Sequence, residues 1–169
     1  MNLFLLDLNA AVCAQYHCDK HVIKMLLELV QMLYTAHICT NSSNLPINAY
    51  RKISNHNHPT AKWVRENRSN YKFTCELAIQ LALEYTHRYN KIHSCEKHAI
   101  WLNQCVPDLP SGELSTIPLA MPDIYKTDDP VKSYRSYYKS KYFAQWTNRP
   151  VPKWFSFCDI RKYFRVSQK

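Results

Sequence analysis

Between Cys13 and His37 apolar positions recur so densely that, wound at about 100° per residue, they cover most of a helix's circumference. Cys18, Val22, Ile23, Met25, Leu26, Leu27, Leu29, Val30, Met32, Leu33 and Tyr34 predict one long helix lying inside the domain rather than on its surface. One stripe stays polar: Cys13, His17, Lys20, His21, Lys24, Glu28, Gln31 and Thr35 project within a sector of roughly 100°. Buried charge without a partner is costly, so this stripe is expected to face a cleft or polar partners.

The same pattern lays out the rest of the chain. Asn2 to Leu8 alternates too little for a strand and predicts an extended arm packed on the core, with Asp7 or Asn9 as N-cap of the long helix. A polar loop follows from Thr40 to Asn57. A second long helix is expected from Asn57 or His58 and Pro59 to about Tyr89. Its inner face reads Trp63, Val64, Tyr71, Cys75, Leu77, Ala78, Leu81, Ala82 and Tyr85, and its outer face Arg65, Lys72, Glu76, Gln80, Glu84 and His87. Asn67, Asn70 and Thr74 fall on the inner side beside Trp63, either as a satisfied core network or as the polar lining of a base pocket. Ser94 caps a third, short helix over Cys95 to Cys105, and Val106 to Pro122 is loop. Asp128 or Asp129 before Pro130 starts a fourth helix reaching about Phe143. Arg149 to Trp154 must be extended, with a final short helix or tail after it. The architecture expected is all-α, a single-domain orthogonal helix bundle with two long central helices and an extended N-terminal arm.

Composition narrows the class. At 169 residues and 46% hydrophobic the chain suits one domain with a proper core. No apolar run is expected to reach the ~18 residues that span a bilayer, so no membrane is expected. The start lacks a basic segment before its first acid, which argues against a secretory signal. Seven cysteines without a CxxC pair fit a reduced intracellular protein of the cytoplasm or nucleus.

The net charge is +9, and residues 130–169 hold ten Lys/Arg against one acid, which equals the whole excess. Eleven aromatic residues interleave with those charges. Cations for phosphates and rings for exposed bases make a nucleic acid, single- or double-stranded, the expected partner of a monomer. Arg135, Arg149, Lys153 and Trp154 are the candidates there, with Lys20 and His58 nearer the stripe.

A single glycine argues against a Walker loop or a dinucleotide fingerprint, both of which need glycines for close approach to phosphate. HExxH is also missing, and no cofactor or metal is expected. Cys13, His17 and His21, spaced by four, with His56 or His58 as a fourth ligand, form the one metal alternative. The stripe reads better as reactive equipment. Lys20 and Lys24 against an apolar wall would favour neutral amines able to act as nucleophiles. Glu28, at i+4 from Lys24, serves as an ion-pair partner or as a general acid-base with His17 and His21.

The blocks MNLFLLD, CDKHVIKMLLELVQMLYTAH, NHPTAKWVRENRSNYKF, DPVKSYRSYY and WTNRPVPKWF resemble small viral and bacterial proteins of the pyrimidine-dimer DNA glycosylase-like family. More distantly they are similar to the phage pyrimidine-dimer glycosylase endonuclease V, an all-α domain. The resemblance implies DNA repair by an N-glycosylase with abasic-site lyase activity, in which an N-terminal amine attacks the sugar C1′ and a first-helix glutamate assists. Met1 and Asn2 are then both candidates for the terminal nucleophile. Alignment through His17 places the family's glutamate on Lys24, whereas the only carboxylate of the stripe is Glu28. The expected activity is thus a base-releasing enzyme that draws a damaged or modified nucleotide between the two long helices, with Trp63, Asn67 and Asn70 as its pocket. A viral transferase that hypermodifies DNA bases, and a non-catalytic DNA-binding or host-interaction protein, are the alternatives.

Overall fold

The structure, a computed structural model, describes residues 2–50 and 55–156. Among these residues six helices follow the N-terminal arm: α1 Ala10–Tyr16, α2 Asp19–Cys39, α3 Pro59–Val64, α4 Arg68–Tyr89, α5 Glu96–Gln104 and α6 Pro130–Tyr138, with a single 3₁₀ turn at Asp123–Tyr125. Among the described residues there is no strand, and the protein is an all-α single domain with one continuous core. The arm is extended and packed on that core, with Leu3, Phe4, Leu5 and Leu6 all buried. α2 runs through the middle and packs mainly along α4, with α3 and α5 beside it.

Both long helices of the sequence pattern are interrupted. The first breaks at His17 and Cys18, whose backbones are extended. Cys18 N–H donates to the Tyr138 hydroxyl (2.8 Å) and Asp19 N–H to the Gln145 carbonyl (2.8 Å). The Gln15 carbonyl that Asp19 would have used accepts from Arg88 at 3.0 Å. Groups from distant parts of the chain therefore replace the helical ladder at this point. The second breaks at Arg65 to Asn67, where Asn67 caps α4 by accepting the Asn70 N–H at 2.9 Å.

Asn9, His58 and Asp129 cap α1, α3 and α6. Cys95 rather than Ser94 opens α5, and α6 stops at Tyr138 rather than Phe143. The four described non-glycine residues with positive φ are all asparagine: Asn41, Asn55, Asn90 and Asn148. In a chain with one glycine, asparagine takes the left-handed positions that its short polar side chain tolerates. The expected final helix or tail lies largely outside the described residues.

Two expectations about burial are corrected. By length and composition α2 does qualify as a membrane-crossing helix, because its charges gather in its first half; yet 67% of the qualifying window is buried inside the fold, and core packing accounts for its apolarity. Glu84, expected on the outer face of α4, is buried. It accepts from Arg88 Nε at 2.6 Å and from Arg149 Nε and Nη2 at 3.0 and 2.9 Å. Arg88 also reaches Asp19 at 2.8 Å, so ion pairs fasten α4 both to the break before α2 and to the segment at Arg149.

Candidate functional site

Three of the eight residues of the polar stripe, His21, Lys24 and Glu28, converge on a cleft of about 400 Å³. His21, Lys24, Met25 and Glu28 of α2 form one wall, and Asn2 and Phe4 of the arm form another. His58 at the start of α3, Ala120, Tyr137 of α6, Lys141 and Phe143 complete it. The arm brings its own backbone to the carboxylate: Asn2 N–H donates to Glu28 Oε2 at 2.7 Å. Asn2 is pinned by its side chain as well, donating to the Ala120 carbonyl at 3.0 Å and accepting from Leu3 N–H at 2.8 Å. Lys24 Nζ lies 3.5 Å from Glu28 Oε1, with side chains 68% and 12% exposed respectively. Lys24 therefore stands at the mouth of the cleft rather than against an apolar wall, and Lys20, also exposed, rests over the Phe143 ring at 4.9 Å.

His21 is held from several sides. Its ring stacks on Phe4 (4.8 Å, 12° between planes) and meets Tyr138 and Phe143 edge to face. Nδ1 is 2.8 Å from the Tyr138 hydroxyl. Burial, reinforced by the positive charges of Lys141 and Lys24, lowers its pKa to about 3. His58 spends Nδ1 on the Thr60 N–H at 3.3 Å, and burial lowers its pKa against the opposing pull of Glu28.

His17 is not in this cleft. The helix break turns it into the core, where Nδ1 donates to the Cys13 carbonyl at 2.8 Å, and burial lowers its pKa to about 4. Cys13 is likewise buried, its thiol donating to the Phe4 carbonyl, and burial pushes its pKa up to about 12. The spacing by four that suggested a metal set is lost at the break. Among the described residues no group of three or more His, Cys, Asp or Glu is placed to share a metal.

Trp63, Asn67 and Asn70 do not face the stripe either. Trp63 is buried, donates to the Ser115 carbonyl at 3.1 Å, and lines a separate cavity of about 410 Å³ with Leu5, Phe73 and Ile117. Asn67 is the α4 cap and donates to the Glu113 carbonyl at 3.2 Å. Asn70 donates to the Trp63 carbonyl (2.9 Å) and Ser115 Oγ (2.8 Å) and accepts Ser115 N–H (3.0 Å). Of the two alternatives for these amides, the satisfied network is the one formed. The cleft opposite α2 is accordingly walled by the arm, the start of α3 and the Tyr137–Phe143 stretch, not by α4.

The basic C-terminal segment divides in the same way. Arg135 Nε donates to the Leu6 carbonyl (2.8 Å), Nη2 pairs with Asp7 (3.0 Å), and its guanidinium lies over the Tyr16 and Trp154 rings at 5.4 and 5.3 Å. It clamps the arm. Arg149 is committed to Glu84, and Trp154 packs edge to face on Tyr16 and Tyr138. Lys153 is exposed. Met1 and the cations at 161, 162, 165 and 169 lie outside the described residues.

Sequence reasoning missed Phe4, Tyr137, Lys141 and Phe143 as cleft residues. Their signal was the alternation of cations and rings after Pro130, which marked the segment without indicating which members turn toward α2. In comparisons with known proteins, no family model, curated protein or solved structure matches this chain.

Proposed function

We propose that the protein is a DNA-base enzyme, an N-glycosylase with abasic-site lyase capability, working in the cleft over α2. The observation that carries this reading is the 2.7 Å approach of the Asn2 nitrogen to Glu28. That nitrogen is an amide while Met1 is retained and becomes the terminal amine once Met1 is removed. A carboxylate at hydrogen-bond distance is the proton acceptor that such an amine needs to become a nucleophile. Lys24 Nζ, 3.5 Å from the other carboxylate oxygen, is the second amine available.

The step balances with these groups alone. The amine lone pair attacks C1′, the C1′–base bond breaks with its electron pair leaving on the base, and the base takes up one of the two protons that the nitrogen gives up. Glu28 accepts the other and returns it to the ring oxygen as the sugar opens, which leaves an imine. Water then hydrolyses the imine, or Glu28, again a carboxylate, takes a C2′ proton as the 3′ phosphate is expelled by β-elimination and the strand is cleaved. Lys20, Lys24 and Lys141 place positive charge around the cleft for the DNA backbone.

Borohydride reduction in the presence of ultraviolet-irradiated or abasic-site DNA should trap a covalent protein–DNA adduct. Mass spectrometry should map it to residue 1, residue 2 or Lys24. Glu28→Gln should slow trapping by about 10²–10⁴-fold. Absence of an adduct with both substrates would remove the imine mechanism.

A further inference from the structure

We infer that His21 presents a fixed Nε2–H donor to the cleft and that, with the ammonium groups of Lys24 and Lys141, it forms a subsite for one phosphate ester. On the reading above, this is a backbone phosphate beside the target nucleotide. The argument begins with proton placement. The Tyr138 hydroxyl is fully buried and has one proton to give. Cys18 N–H already donates into its oxygen at 2.8 Å, and of the two acceptors beside the hydroxyl, the Cys18 thiol and His21 Nδ1 at 2.8 Å, the imidazole nitrogen is much the stronger, so the hydroxyl proton is directed at it. Burial raises the Tyr138 phenol well above its ordinary range, which keeps that proton in place. A neutral imidazole bears one N–H, and with Nδ1 accepting, it sits on Nε2.

Nε2 has no hydrogen-bond partner among the described residues, while the His21 side chain lines the cleft. The stack on Phe4 and the edges of Tyr138 and Phe143 prevent the ring from turning to offer anything else. A donor of this kind selects an oxygen acceptor and rejects a cation. Its surroundings add positive charge. Lys141 Nζ sits 3.7 Å from the Tyr137 ring centroid and 5.9 Å from that of Phe4, the ring on which His21 stacks. Lys24 follows His21 by three residues on the same helix face.

The Cys18 thiol beside Tyr138 is held neutral, burial raising its pKa. His17 on the α1 side is buried and neutral, His58 faces from the start of α3, and Tyr138 and Lys141 face from the α6 side. Glu28 is the one carboxylate lining the cleft, and Asn2 N–H and Lys24 lie at its two oxygens, which lowers its repulsion of an anion. This arrangement changes the part His21 plays. It is a binding residue with a fixed proton, and Glu28 is left as the group that exchanges protons in the cleft.

The test uses full-length ¹⁵N-labelled protein, in which histidine ring nitrogens report protonation directly. His21 should show a protonated Nε2 and an unprotonated Nδ1, unchanged from pH 5 to 8. Titration with 2-deoxyribose 5-phosphate, and separately with a duplex bearing a tetrahydrofuran abasic analogue, should shift the Nε2–H resonance. His21→Leu and Lys141→Met should each weaken sugar-phosphate binding about tenfold, whereas His21→Gln, which retains an N–H, should keep part of it. A proton on Nδ1, or an Nε2–H signal that neither ligand moves, overturns the subsite even if the duplex binds elsewhere. A signal moved by the sugar phosphate but not by the duplex upholds the subsite and removes the DNA reading.

Discussion

Tyr138 shows how one buried hydroxyl serves both structure and site. It ends the ladder at Cys18 and orients the His21 ring. Tyr138→Phe keeps the ring and strands a backbone N–H and an imidazole nitrogen. It should therefore cost about 1–3 kcal/mol, measured as a fall in the urea midpoint with an unchanged slope. An unaltered midpoint would mean that neither bond matters to stability. At this scale the sequence was informative wherever spacing alone decides geometry. His21, Lys24 and Glu28 are at i, i+3 and i+7, and any helix aligns such positions. Arg135 and Arg149 were not legible as structural. An arginine committed to Asp7 or Glu84 has the same sequence signature as one free to bind phosphate, and only the tertiary fold tells them apart.

At the scale of elements, the periodicity found every long helix and overlooked both breaks. Apolar spacing runs through His17 and through Arg65 almost undisturbed, because the two sides of each break bury against the same core. What stops the helix is a competing set of hydrogen bonds. At the first break the competitors are remote, namely Tyr138, Gln145 and Arg88, so no local pattern could announce them. At the second the competitor is local, an asparagine with its acceptor on the N–H three residues on, a cap signal read instead as an inward-facing amide. Asn67→Ala should thus behave as the loss of a cap, costing about 0.5–2 kcal/mol. Asn67→Ser, which restores an acceptor, should recover most of it. Chemical denaturation of the pair checks this, and equal destabilisation by both variants would point instead to the Glu113 contact.

For the whole molecule, two kinds of buried titratable group give acid sensitivity in separate ranges. His17 and His21 are neutral in the fold, with pKa values lowered to about 4 and about 3 from 6.5. Below about pH 6.5 the unfolded chain takes up protons that the fold refuses, so stability must fall as pH drops from there toward those values. Glu84 works differently. Burial alone would raise its pKa, but hydrogen bonds and charge from Arg149 and Arg88 outweigh that and lower it below 4.5. Its contribution is complete above about 4.5 and is lost as pH falls through the lowered folded value. The melting temperature should therefore decline from about pH 6.5 and decline further below about pH 4.5. His17→Asn keeps a donor for the Cys13 carbonyl and removes a titrating ring, so it should flatten the upper range only. Arg149→Met strips one partner from Glu84 and should leave the upper range intact while shifting the lower one toward higher pH. Arg88→Met is harsher, since it leaves Glu84 and Asp19 short of the cation that joins them; about 3–5 kcal/mol is the usual cost of breaking such a buried pair. A melting temperature that stays flat from pH 7.5 to 5 would show that the two histidines are not held neutral, and with that the fixed proton on His21 would lose its support.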